Sequence, residues 1–251
     1  MRLHYRLDGP EGAPPLVLSN SIGTTLELWD AQVPALTPAF RLLRYDQLGH
    51  GRSEVPPGPY TVELLGRELL TLLDRLQIER ASFCGLSLGG TVGMWLAANA
   101  PERLDRLVLA GTSAYFGPPD RWVERARIVR AEGMEPIADA TMGRWFTRAF
   151  AGSGPYLGQL LATPSEGYAA CCDALAAWDF RGDLASISAP ALVLVGSEDP
   201  ATPPEQGRLI ADGIPGASLT VLPGAAHLLN VEQPEAFNRA VLHHLTGEEE
   251  S

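Results

Sequence analysis

Short apolar runs alternate with stretches of helical periodicity along most of the chain. LHYRL, PLVLSN, FRLLRYD, ASFCG, RLVLAGT, ALVLVG and SLTVLPG read as strands. Several are almost continuously apolar, the mark of strands covered on both faces. Between them, apolar positions recur at helical spacing. In VELLGRELLTLLDRL (62–76) they fall at 64, 65, 69, 72, 73 and 76, on one helical face. TVGMWLAANAPERL and PEAFNRAVLHHL read as further helices. Strand, helix, strand repeats predict an α/β chain with a mostly parallel sheet flanked by helices on both sides.

The rhythm breaks between about residues 116 and 182, where no strand pattern is evident. That stretch holds Trp122, Trp145 and Trp178, is helical in pattern, and is interrupted by Gly-Ser-Gly-Pro at 152–155. It separates RLVLAGT from ALVLVG. The expected organisation is a core of residues 1–115 and 183–251 with a helical cap, 116–182, over the C-terminal edge of the sheet.

Composition narrows the class. A chain of 251 residues can bury one large core. With 45% apolar and 20% charged residues it is of the soluble globular type. Its formal net charge of −11 argues against nucleic acid and anionic membrane surfaces as partners, since both call for basic patches. A small anion is still allowed, because one arginine suffices to bind a carboxylate. Cys84, Cys171 and Cys172 show no zinc-like spacing, and adjacent cysteines rarely pair, which fits a reducing compartment. No apolar segment of the signal-peptide kind follows Met1, and no run approaches a membrane span, so a cytoplasmic location is expected. The GEEES ending reads as a solvated, frayed terminus. The oligomeric state stays open, a homo-oligomer included.

Chemistry enters at Gly85-Leu86-Ser87-Leu88-Gly89, a G-x-S-x-G between a strand and a helix. A tight strand-to-helix turn forces the serine into a strained backbone region, and small neighbours relieve the clash. The turn lifts Oγ above the sheet and presents the first helical amides, Leu88 N–H included, as oxyanion donors. By itself the motif is also compatible with a glycine-rich turn.

A serine hydroxyl needs a base. His227 follows the last strand in SLTVLPGAAHLLNVEQP, where a loop could carry it over Ser87; the alternative is a surface loop histidine. His4 is in the first strand pattern, and His243 and His244 are in the last helix. The base in turn needs an acid. Asp199 ends a strand in GSEDPATP, with Glu198 as local rival; Asp173, Asp179 and Asp183 are expected to be solvated or capping. Ser87, Asp199, His227 is the chain order of the α/β-hydrolases. The second oxyanion donor is expected from SNSIGTT: Asn20-Ser21 stands where many such chains carry His-Gly, which selects the Ile22 N–H. Asn20 is expected to hold this loop by side-chain hydrogen bonds.

With those residues in hand the chain resembles an α/β-hydrolase over its whole length, and more narrowly the 3-oxoadipate enol-lactonase (β-ketoadipate enol-lactone hydrolase) family of aromatic catabolism. The carrying segments are VLSNSIGTTLELWD, RYDQLGHGRSEVPPGPYT, LGRELLTLLDRLQIERASFCGLSLGG, APERLDRLVLAGT, GRWFTRAF and GYAACCDALAAWDFR. The sequence departs from the family pattern at Leu48, where an arginine is usual; in that pattern the segment around His50 is structural. The resemblance implies an α/β-hydrolase fold and hydrolysis of an unsaturated lactone bearing a carboxylate, through an acyl-serine, with no metal or organic cofactor. An anionic lactone needs a local cation. Arg144 in GRWFT is the candidate, with Trp145 as an apolar wall; Arg125, Arg127 and Arg148 are rivals, the first two on a helix face expected to be solvated. A general carboxylesterase, a C–C hydrolase or a perhydrolase would use the same three residues. A non-catalytic ligand receptor on this fold is the reading from another class. Ser87 excludes a haloalkane dehalogenase, which needs aspartate there.

Overall fold

The computed structural model describes residues 1–247; the remainder of the acidic tail, expected to be frayed, lies outside the described residues. Each of the apolar runs becomes a strand: β1 (Tyr5–Asp8), β2 (Pro15–Ser19), β3 (Arg41–Tyr45), β4 (Ala81–Leu86), β5 (Leu104–Ala110), β6 (Ala191–Gly196) and β7 (Ser218–Leu222). They form one seven-stranded sheet in the order β1-β3-β2-β4-β5-β6-β7. Only β1 runs antiparallel, pairing Tyr5 with Tyr45 of β3; the other neighbours are parallel. β4 and β6 are buried at every position, in keeping with their mostly apolar sequences; Ser82 is the polar exception in β4. The edge strand β7 is buried only at Leu222.

The helix Val62–Arg75 starts where the Thr61 side chain accepts the Leu64 N–H at 3.0 Å, satisfying one orphan donor of the first turn. It buries Leu65, Leu69, Leu72 and Leu73, while Leu64 and Leu76 at the margins of the predicted face stay half-buried. The next helix, Leu88–Asn99, begins three residues before the TVGM run that predicts it, because Gly89 and Gly90 are helical. They are there for close packing and do not break the helix. A Cβ on Gly90 would stand 2.6 Å from Cβ of Thr112, and one on Gly93 would stand 2.7 Å from the Phe83 ring. This helix is apolar nearly all round, as a helix packed on both sides must be.

Between β5 and β6 the regular structure is helical, with long helices at Pro119–Glu132, Glu135–Trp145, Gly154–Ala162 and Ser165–Ala176. This insertion is fastened to the turn after β3. The Gly58 N–H donates to Glu166 Oε1 at 3.0 Å, and the Tyr60 N–H to the Ala170 carbonyl at 3.3 Å. Gly49 and Gly167 meet backbone to backbone: a Cβ on Gly49 would lie 2.6 Å from Cα of Gly167, and a Cβ on Gly167 would overlap the Gly49 carbonyl oxygen. Leu48, at the position where the resembled pattern has arginine, is only 1% exposed, so an apolar contact fills the place of a charge. Gly167→Ala is therefore expected to lower stability by about 1–3 kcal/mol, read as a lower urea midpoint with an unchanged m-value.

Candidate active site

Ser87 stands between the end of β4 and the first turn of the helix Leu88–Asn99, with φ 56° and ψ −112°. A non-glycine residue with this backbone is strained, so its surroundings must enforce it. Its N–H donates to the Ala110 carbonyl of β5 at 2.9 Å, and its carbonyl accepts from the Gly90 N–H at 2.9 Å and Thr112 Oγ1 at 2.8 Å. Gly85 lies against the Gly89 carbonyl and Gly89 against the Ser19 carbonyl, with no room for a Cβ at either place. The glycines around the serine let two backbone segments touch.

His227, in the loop after β7, is 4% exposed and Asp199, after β6, is 2% exposed. Their Nδ1 and Oδ2 atoms are 2.8 Å apart. The remaining acceptor positions of Asp199 are filled by the Ala201 N–H at 2.7 Å, the Thr202 N–H at 3.0 Å and Thr202 Oγ1 at 2.6 Å. Burial alone would raise the Asp199 pKa. The His227 charge, its hydrogen bond and the Thr202 donors outweigh that effect and hold the carboxyl below its ordinary range. Asp199 is thus an anion within hydrogen-bond reach of His227 Nδ1. The rival Glu198 is exposed. The histidine loop is held by Glu232, which accepts from the Ala226 N–H at 2.6 Å and from the Thr147 N–H at 2.9 Å, and by the Leu228 N–H, which donates to the Trp145 carbonyl at 3.0 Å.

The loop after β2 approaches the serine from the other side. Asn20 does anchor it: its Nδ2 donates to the Tyr45 carbonyl at 2.8 Å and its Oδ1 accepts from Trp29 Nε1 at 2.8 Å. The Asn20 carbonyl accepts the Gly89 N–H at 3.0 Å, which ties this loop to the helix after Ser87. Leu88 is the first helical residue, so its N–H has no intrahelical acceptor. Among the described residues the Ile22 N–H also has no acceptor in the protein. Buried His50 accepts the Gly23 N–H on Nε2 at 2.9 Å, and its Nδ1 lies 3.2 Å from the Leu48 carbonyl. Burial pushes its pKa from 6.5 down to about 4, with the Leu48 carbonyl pulling weakly upward.

Ser87, His227, Ile22, Arg144 and Trp145 all border one cavity of about 130 Å³ under the helical insertion. Trp145 is 3% exposed and Arg144 is half-buried. Two further arginines, Arg121 and Arg125, line the same space, and among the described residues no Asp or Glu does. Arg125 contradicts the expectation of a solvated helix face. It turns inward, donates from Nε to the Tyr168 hydroxyl at 2.8 Å and bonds to Thr141 Oγ1. Residue 125 is next to Ala126 and one helical turn from Val129, and the burial of those two draws that edge of the helix into the site. Arg127 is exposed and paired with Glu124 at 2.7 Å, as expected of that helix, and exposed Arg148 does not reach the cavity. Burial lowers the Arg144 pKa, and the neighbouring Arg125 and Arg121 charges lower it further. The cavity is thus positively charged inside a chain of net charge −11. Arg121, Thr141, Tyr168 and Thr202 escape the sequence reading. Only Thr202 carries a local signal, three residues beyond Asp199 in the same turn.

The alpha/beta hydrolase family pattern matches residues 16–240. This chain belongs to the alpha/beta hydrolase family. It is 42% identical to 3-oxoadipate enol-lactonase 2 of Acinetobacter baylyi, over 95% of this chain and 91% of that one. The solved enol-lactonase of Burkholderia xenovorans LB400 superposes with a TM-score of 0.94 at 46% identity, covering 97% of this chain and 96% of that one. A putative carbamate hydrolase, RutD, of Stutzerimonas stutzeri is 32% identical over 97% of this chain and 96% of that one. The resemblance read from the oxyanion-loop and cap segments therefore extends over nearly the whole hydrolase chain.

Ser87→Gly, which accepts a positive φ without strain, is expected to be more stable than Ser87→Ala by about 1–3 kcal/mol, measured by urea unfolding of this hydrolase. A second expectation concerns His50, whose pKa is 6.5 when unfolded and about 4 when folded. Between those values the unfolded chain binds the proton and the folded chain does not. Stability from this group is full above 6.5 and is lost as pH falls toward 4. The stability–pH slope of His50→Gln across that window is expected to be shallower than that of the parent.

Proposed function

We propose that the protein hydrolyses 3-oxoadipate enol-lactone, or a close analogue bearing a free carboxylate, to the 3-oxo diacid. The observation that carries the reading is a cavity that joins Ser87 and His227 to a cluster of arginines, with no acid among the described residues of its lining. An uncharged ester would gain nothing from that cluster, whereas a carboxylated lactone is drawn to it and oriented by it. The similarity to named enol-lactonases supports the choice of ring.

In this mechanism His227 Nε2 takes the proton of Ser87 Oγ as that oxygen attacks the ring carbonyl carbon. The Ile22 and Leu88 N–H groups stabilise the tetrahedral oxyanion, each donor being worth roughly 3–4 kcal/mol. Collapse breaks the ring C–O bond. The leaving group is an enolate, a better one than an alkoxide because its charge is delocalised, and it receives the proton from His227. Water then attacks the acyl-serine with His227 as base, and the proton returns to Ser87 Oγ as the acid departs. Tautomerisation of the enol yields the ketone. Arg144 holds the substrate carboxylate, with Arg121 and Arg125 adding to the local field, and Trp145 packs against the ring. All the chemistry is carried by the chain's own residues. The buried, unpaired thiols of Cys84, Cys171 and Cys172 fit a reducing cytoplasm as the working compartment.

Kinetics on the enol-lactone beside a short neutral ester test the reading. The wild type is expected to favour the lactone in kcat/KM. Arg144→Ala is expected to lose at least tenfold on the lactone, roughly the worth of one charge-assisted contact, and little on the neutral ester. Hydrolysis no faster than the spontaneous rate overturns the proposal. A second reading, hydrolysis of a small carbamate on the same residues, has the RutD-like relative in its favour; preferential turnover of a carbamate would select it. A fluorophosphonate that leaves Ser87 unlabelled in the folded protein would instead mark a non-catalytic receptor.

A further inference from the structure

The glycine-rich turn 46–51 comes after β3, contributes nothing to the lining of the catalytic cavity, and is buried apart from Gly51. His50 within it is 0% exposed and has no ion-pair partner among the described residues. Both ring nitrogens are nevertheless engaged. Nε2 receives the Gly23 N–H at 2.9 Å, so it must carry a lone pair; Nδ1 then carries the proton, facing the Leu48 carbonyl at 3.2 Å. A neutral imidazole in a single tautomer is the only state that satisfies both contacts.

Gly23 is the residue after Ile22. The peptide unit that contains the Ile22 N–H is also held from its other side. Its carbonyl, on Ser21, accepts from Thr24 Oγ1 at 2.8 Å and from the Thr24 N–H at 3.3 Å. A trans peptide points N–H and C=O in opposite directions, so tying the Ser21 carbonyl directs the Ile22 N–H the other way. The next unit, bearing the Gly23 N–H, is tied by His50. Gly23 itself has φ 79°, a conformation glycine tolerates but does not enforce. Among the described residues the Ile22 carbonyl of that unit has no hydrogen-bond partner, so the contact with Nε2 is what holds the peptide plane.

We propose that His50 is a positioning residue for oxyanion stabilisation: by accepting the Gly23 N–H it sets the peptide plane after Ile22 and so keeps the Ile22 N–H beside Ser87. The inference rests on the reading of Ile22 as an oxyanion donor and goes beyond it, because His50 touches no reacting atom. It assigns a role in the reaction to a histidine that sequence alone reads as structural.

The test uses full-length chains carrying His50→Asn or His50→Gln. Asparagine reaches the Leu48 carbonyl from the place of Nδ1 but falls short of Gly23. Glutamine places an amide oxygen near the position of Nε2. Melting temperature and far-UV spectra are recorded for both. The readouts are kcat and KM on the enol-lactone and the second-order rate of Ser87 phosphonylation by a fluorophosphonate. The phosphonylation rate needs the oxyanion hole but not the natural substrate. For folded H50N, kcat and the phosphonylation rate are expected to fall by about 10- to 100-fold with KM within about twofold, the size of effect seen when an oxyanion donor is displaced. For H50Q they are expected to stay within about threefold of the parent. A folded H50N with parental rates overturns the proposal. So does a folded H50Q that has lost about a hundredfold, and this arm decides if H50N does not fold. If the parent does not hydrolyse the lactone, the substrate reading fails, while the phosphonylation comparison still decides the role of His50.

Discussion

Everything at the site depends on one close approach. The chain turns from β4 into a helix with the backbone of Gly89 pressed against the backbone of Ser19. That contact is possible only without a side chain at 89, and it brings the ends of β2 and β4 together just where the serine must sit. The positive-φ backbone of Ser87 is the consequence. Held by hydrogen bonds from Gly90 and Thr112 on its carbonyl and to Ala110 from its N–H, it cannot relax into an ordinary turn. The strain is maintained by the surrounding sheet, and it yields a hydroxyl at the cavity wall beside the one free amide of the first helical turn, that of Leu88.

In the proposed mechanism three strand ends supply what that hydroxyl lacks. β6 delivers Asp199, the loop after β7 delivers His227, and the loop after β2 delivers the Ile22 N–H. Each piece is fixed by contacts of its own: Thr202 on the aspartate, Glu232 on the histidine loop, Asn20 and His50 on the loop with Ile22. Glu232 and the Leu228 N–H also connect the histidine loop to the helical insertion at Thr147 and Trp145. The His227 loop and the wall of the cavity are therefore parts of one hydrogen-bonded unit.

The cavity also differs in charge from the acidic chain around it. Net charge governs long-range behaviour, but binding is decided by the field where the ligand sits. Arg121, Arg125 and Arg144 converge without a carboxylate among them, and the burial of Arg144 strengthens its interaction with any anion that enters. Tyr168 and Thr141 hold Arg125 by neutral contacts, which direct the guanidinium without discharging it.

Much of this was legible in the chain itself. Short, mostly apolar runs separated by helical periodicity made the strands readable, and the order Ser87, Asp199, His227 at strand ends pointed to the chemistry. These are local signals: they depend on period, on turn residues and on the residues just beyond a strand. Tertiary structure alone decided the rest. It chose Asp199 over Glu198 because only one of two adjacent side chains can face the histidine across the sheet edge. It turned Arg125 inward, against its charged helix pattern, because the insertion packs that edge of the helix over the cavity. It joined His50 to Gly23, because a hydrogen bond between segments 27 residues apart leaves no trace in the periodicity of either one. Periodicity records which face of an element is covered; only the packed chain determines which atoms meet beneath the cover.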